Sequence, residues 1–302
     1  MAMNDDAVIA LPSADAALAR AQEGKSYWRR VREQLAGDKV TIVVSLVLLT
    51  IICLVLFAPW VTFHDPYTGS VMKRLKPIGT PGHWLGTDEV GRDLWTRMLY
   101  GGRFSLLCGV VPVLLALMIG GFLGIFAGFA GRLANTAIMR VMDVLYAFPS
   151  VLLAIAICGL LGSGLENTLL ALTVTFIPPI TRISEAVTTQ VRGLDFVDAA
   201  RASGARPMTI LWYHILSNVL GPILVYATSL ISIAIILAAG LSFLGLGVTP
   251  PNAEWGLMLN NLRQVLWVDP TIAALPGVMI FLTSMCFNLM SDGLRQAMDV
   301  RL

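Results

Sequence analysis

Chemistry in this chain has to come from few residues, because only 13% of its 302 residues are charged and just three are histidine. Gly24-Lys25-Ser26 resembles the tail of a phosphate-cradling GxxxxGK[ST] loop. The first glycine of that pattern would stand where Ala19 is, and no strand precedes it, so the chain carries no ATP site of its own. Proton-driven carriers place Asp, Glu or His inside their spans. Here His64, His83 and His214 fall in loops or at helix ends, and the centres of the apolar segments hold no acid. Paired intramembrane aspartates and a zinc-binding HExxH helix are missing as well. Cys53, Cys108, Cys158 and Cys286 lie inside apolar blocks with no CxxC among them. They read as small packing residues, and neither a disulfide framework nor a metal site is suggested. No catalytic residue emerges, so the chain is not expected to be an enzyme.

What remains is chemistry of the backbone. Pro149 and the pair Pro178-Pro179 remove amide donors inside apolar segments. The carbonyls they free must face protein or a watery cavity in a membrane, so these prolines either line a pathway or make plain structural kinks. Gly120, Gly121, Gly124 and Gly128 form a flat strip where a second helix can come close, within the chain or from a partner. The stretch Leu194–Pro207 is alanine-rich and helix-favouring, with Gly204 allowing a sharp stop and Pro207 acceptable in the next first turn. It predicts two short helices meeting at a small-residue corner outside the membrane. Ala199 and Ala200 would let that corner enter a groove on a partner; the alternative is a connector with no partner.

These pieces are positioned by a hydrophobic frame. The chain is 56% hydrophobic with a mean hydropathy of +0.76 and a net charge of +2. That composition excludes global disorder, and the charge is too small for nucleic-acid binding. No Asp, Glu, Lys or Arg occurs over 40–64, 104–130, 207–253 or 270–291. A bilayer core needs about 20 apolar helical residues. The reading is an all-α polytopic membrane protein with six transmembrane helices near 40–63, 104–130, 138–161, 166–186, 219–247 and 271–291. Six spans put both termini on one side, and that side collects fourteen of the 21 Lys and Arg residues. Positive charge favours the cytoplasm, so both termini are expected inside. The organisation predicted is a tail over 1–39, unordered to about residue 25 and then carrying an interfacial helix at Tyr27–Arg32, followed by one membrane domain over 40–302.

At the 194–218 loop the sequence takes on a family likeness. Asp198-Ala199-Ala200-x-x-x-Gly204, with His214-Ile215-Leu216 after it, resembles the EAA loop of permease subunits in bacterial ATP-binding-cassette importers. Three further stretches resemble the peptide and nickel permease group, of the dipeptide permease C type. They are Leu85–Asp93, Leu241–Gly247 with Pro250-Pro251 and Glu254-Trp255-Gly256, and Phe287–Arg295. Two positions depart from the pattern: Asp198 replaces the glutamate, and Ser217 stands where a proline is usual. The resemblance implies a type I importer permease fold in the bacterial inner membrane. It pairs with a homologous second permease, two ATPase subunits that bind ATP and Mg, and an extracytoplasmic solute-binding protein. It implies that Asp198, Ala199, Ala200, Gly204 and Ala205 couple to the ATPases, with no cofactor in this chain. Asp88, Arg92 and Glu254 would lie on the outer face, where they contact the binding protein or pair structurally. The expected solutes are di- or oligopeptides, with nickel, opine or glutathione as alternatives; a stand-alone channel, an ion-coupled carrier and a structural anchor are the rivals.

Overall fold

Acidic side chains decide where several helices begin. The structure, a computed structural model, describes residues 27–298, and side chains from 31 onward; the expected unordered tail lies outside the described residues. Helix α1 (Tyr27–Gly37) falls where the interfacial helix is expected, and its Gln34 donates to the carbonyl of Gln296 at 3.2 Å. Asp38 accepts from the amide of Val40 at 3.0 Å and from the Thr41 hydroxyl, which starts α2 (Lys39–Leu56). Asp93 does the same for α3 (Leu94–Ala130), accepting from the Thr96 amide and hydroxyl at 2.9 and 2.7 Å. Such a cap stabilises a helix by about 1 kcal/mol. It also moves the start of this helix ten residues ahead of the predicted 104, so α3 runs about 55 Å and overshoots the bilayer.

The third span differs most from expectation. In place of one helix over 138–161 there are two, α4 (Arg132–Tyr146) and α5 (Ser150–Leu161), bent by 83° at a break before Pro149. Proline fixes its own backbone and disfavours helix in the residue before it, so the helix must stop at this point. α5 is only about 18 Å long and spans a membrane only together with α4. With the bent pair counted as one, six segments are long and apolar enough to cross a bilayer.

The chain continues through α6 (Leu165–Arg192), α7 (Asp195–Ala202), a helical stretch over 207–215 leading into α8 (Leu216–Phe243), α9 (Trp255–Leu262) and α10 (Pro270–Met298). Pro178 and Pro179 leave α6 one continuous helix. Successive crossings place residues 193–215 at the end of the bundle shared by α1 and the end of α10, and residues 57–93 and 244–269 at the other end.

The glycine strip packs within the chain. A Cβ added at Gly120 would lie 2.8 Å from the carbonyl oxygen of Ile177, and one at Gly128 would lie 2.8 Å from Cβ of Thr188. At Gly124 it would strike the carbonyl oxygen of Thr181. The three glycines of α3 therefore let α6 approach to backbone contact through Thr181, Ser184 and Thr188, and α3–α6 is the most extensive helix pair. Around it, α3, α6, α8 and α10 share the main apolar core. Large apolar side chains such as Val43, Leu46, Met118 and Phe122 stay exposed on the perimeter, as lipid or another membrane subunit would require.

Candidate coupling site and membrane cavities

The corner forms as its composition predicts. The amide of Ala205 donates to the carbonyl of Ala200 at 3.1 Å, and that of Gly204 donates to Arg201 at 3.0 Å. With Gly204 at φ +78°, this is a Schellman stop, which only glycine enters without strain. Pro207 then opens the next helix with its missing amide at a position that needs none. Asp198, Ala199 and Gly204 are exposed while Ala200 and Ala205 are half-buried, so the five residues sit together on one protruding knuckle. Asp198 is occupied by Arg201 at 2.7 Å, an exposed pair one turn along the same helix.

The knuckle has its own foundation. Val197, Ile210 and Ile215 are buried beneath it and share one apolar cluster with Val191 of α6 and Val219 and Ile223 of α8. Leu194, Phe196, Met208, Trp212 and Tyr213 remain exposed around the corner, an apolar rim on a small-residue centre. The corner is thus joined to two spans through close-packed side chains.

Polar ties fix α4 to α6 on the same side. Arg182 pairs with Asp143 at 2.6 Å and stacks over the Tyr146 ring at 5.0 Å. Glu185 accepts from Asn135 at 2.6 Å and from Thr189 at 3.0 Å. Two open cavities lie next to these helices. One, of about 430 Å³, is lined by Val187, Pro222, Tyr226, Ser229, Asp292 and Arg295 among others. The other, of about 360 Å³, gathers Pro149, Pro178 and Pro179 with Tyr146, Thr175 and Tyr226. The three prolines singled out from sequence therefore meet on one cavity. Pro178 and Pro179 have no amide to give the carbonyls of Val174 and Thr175, and Thr175 lies on that wall. Tyr226 lines both cavities and stands between them.

The opposite end is built from buried charge. Asp88, 2% exposed, accepts from Arg92 Nε at 2.6 Å and lies 3.3 Å from Arg97 Nε, which is itself 1% exposed. Glu254, 1% exposed, accepts from the amides of Gly256 and Leu257 and from the Ser105 hydroxyl, each at 2.9 Å. The neighbouring Trp255 donates its indole N–H to the carbonyl of Met98 at 2.9 Å. Both carboxylates are buried and bonded within the chain, while Arg92 is half-buried. Asp88 with Arg92 holds the loop before α3, and Glu254 holds the start of α9 against α3.

Sequence reasoning missed one constellation here. Two histidines that it left in loops, His64 and His83, lie with ring centroids 4.7 Å apart and planes tilted by 31°, and His83 Nδ1 lies 2.9 Å from Asp93 Oδ1. Nineteen residues separate the histidines and the aspartate lies ten further on, so no local motif betrays the meeting.

Two family models match the chain. One, the binding-protein-dependent transport system inner membrane component, covers residues 120–302, and the other, the N-terminal TM domain of oligopeptide transport permease C, covers 26–77. The glutathione transport system permease protein GsiD of Pectobacterium atrosepticum is 40% identical over 278 residues, 92% of this chain and 91% of that one. The dipeptide transport system permease protein DppC of Alkalihalophilus pseudofirmus is 40% identical over 277 residues, with 92% and 91% covered. The di/tripeptide transport system permease protein DppC of Pseudomonas aeruginosa is 38% identical over 301 residues, 96% of each. In fold alone, a chain of the inward-facing MetNI methionine ABC transporter matches with a TM-score of 0.54 at 19% identity, over 66% of this chain and 95% of that one. With a family model over more than half its length and relatives of about 40% identity, the chain belongs to the binding-protein-dependent transport system inner membrane components, as a multi-pass inner-membrane permease subunit of an ABC importer that has no ATPase site and works with ATPase and binding-protein partners.

Proposed function

We propose that this chain is one of two homologous permeases in an importer of di- and oligopeptides, driven by two ATPase subunits that grip the knuckle at Asp198, Ala199, Ala200, Gly204 and Ala205. Both termini and the knuckle face the cytoplasm in this reading. ATP-driven closure of the ATPases pushes the corner, and α6 and α8 rotate with it as rigid bodies. The cavities around Tyr226, Pro149 and Pro178-Pro179 then switch from outward to inward access. The observation that carries this is the apolar cluster joining the underside of the knuckle to the two spans that wall the cavities. The chain needs no ionisable group in mid-membrane, because the work is done elsewhere and arrives mechanically.

Peptide as the cargo rests on the dipeptide and di/tripeptide permeases among the relatives. Glutathione is the second reading, since a glutathione permease is equally similar, and glutathione is itself a tripeptide. The test is the solute that co-purifies with the cognate binding protein, identified by mass spectrometry, with uptake of that labelled solute measured in cells lacking this chain. Peptides that disappear from uptake on deletion support the main reading and glutathione the second. A nickel chelate or an opine contradicts both.

A further inference from the structure

We propose that His64, His83 and Asp93 form a binding site for a divalent transition-metal ion of the zinc class, at the end of the bundle opposite the knuckle. Each offers one ligand atom, and these atoms lie within 4.8 Å of one another. Tetrahedral zinc with bonds of about 2.0–2.1 Å holds its donors about 3.4 Å apart, so the widest pair must close by up to about 1.4 Å. His64 can supply that movement: it is exposed, on a loop just after the short helix Ala58–Val61, with its ring beside that of His83.

The other two members are already set. His83 and Asp93 are 6% and 4% exposed. Asp93 is fixed through its second oxygen by the amide and hydroxyl of Thr96. Its first oxygen faces His83 Nδ1 at 2.9 Å. An ion held here would replace the proton between them, with Nδ1 and this oxygen both serving as donors.

Two further observations point to a ligand. His64 and Asp93 line a small cavity of about 20 Å³ with Phe63, Gly82, Trp84 and Trp95. About 10–15 Å³ accommodates one water, so there is room for one small occupant. The indole N–H of Trp95 is buried without an acceptor among the described residues. A water completing the metal's coordination would provide that acceptor. Two neutral imidazoles favour a zinc-class ion over magnesium or calcium, which take oxygen ligands. The bound ion would pin the segment after α2 to the start of α3, fixing the loop end of the bundle.

The test is zinc titration by calorimetry of the full chain in lipid nanodiscs, purified through a tag without histidine. The chain's only other histidine, His214, lies at the opposite end, so background binding is small. One saturable zinc site is expected, with a melting temperature that rises on zinc addition and does not respond to magnesium. His64→Ala should bind at least about tenfold more weakly and His83→Gln likewise, since losing even an outer-shell partner of a ligand costs about that much. His64→Ala should keep the metal-free melting temperature, because its side chain is exposed. Absence of saturable zinc binding, equal binding of magnesium, or undiminished binding by His64→Ala would each overturn the site. None of these readouts involves transport, so this proposal and the peptide-import reading fail separately.

Discussion

The two ends of the bundle use carboxylates in opposite ways. At the knuckle, Asp198 is exposed and pairs with Arg201, a contact that contributes a few tenths of a kcal/mol. At the other end, Asp88, Asp93 and Glu254 are nearly sealed from solvent and each is bonded to several groups. A buried carboxylate is tolerable only when helix amides and hydroxyls or guanidinium groups replace its water. The loop end is therefore self-sufficient, a clasp that ties α3 to α9 and to the loop before it. The knuckle is buried underneath, while its apolar rim and small residues stay exposed. In the proposed reading one end keeps its shape and the other is held by a partner.

That contrast can be broken at four points. Glu254→Ala should have the largest effect: it strands two amides and the Ser105 hydroxyl in the interior, at a cost of about 3 kcal/mol. Thermal unfolding in detergent should show it, and the chain should fall in abundance in cells. Next comes Val197→Ala, which hollows the buried support of the knuckle. Its cost is about 1–2 kcal/mol, and hydrogen exchange should speed up locally over 195–215 without a comparable change over 57–93. Asp198→Ala should alter stability by no more than about 0.5 kcal/mol. If it nonetheless lowers ATPase co-purification, the contrast sharpens, because the same carboxylate that matters little to the fold matters to the partner.

The smallest effect is one of pH. Asp65 accepts from the amides of Tyr67 and Thr68 at 2.6 and 2.9 Å, and these bonds hold its carboxyl below the ordinary range. A lowered folded value means its contribution is fully present above the usual carboxylate pKa of about 3.9. It is lost as pH falls through the folded value. Amide protection at Tyr67 and Thr68 should fall on acidification below pH ~4, and Asp65→Asn should show less of that dependence.

Much of this was legible in the sequence because it is local. Charge-free runs mark the spans, glycines at four-residue spacing mark the α3–α6 contact, and the Ala-Gly-Pro order of 199–207 marks the corner. What escaped was of two kinds. The 83° bend came at Pro149, which sequence reading took for a kink within one span, because the apolar pattern on both sides gives no sign that the chain changes direction. The early start of α3 had its signal in Asp93, but a stretch with Arg97 and Arg103 does not read as a span. The clasp is invisible for a different reason. Ser105 and Glu254 are 149 residues apart, and His64 meets His83 and Asp93 only after the loop has folded. Contacts made by topology leave no spacing to read.

The central claim is that movement reaches this chain through the knuckle. Its most direct test is ATP-driven uptake by the complete importer in proteoliposomes, comparing the natural chain with Gly204→Trp and Asp198→Arg. A bulky residue at φ +78° deforms the corner, and a reversed charge at Asp198 repels the neighbouring arginine and any partner built for an acid. The expected result is loss of uptake and weakened ATPase attachment with membrane insertion intact, the melting temperature of the isolated permease being little changed by Asp198→Arg and lowered by the local strain in Gly204→Trp. Uptake and attachment at natural levels in both variants would contradict the account.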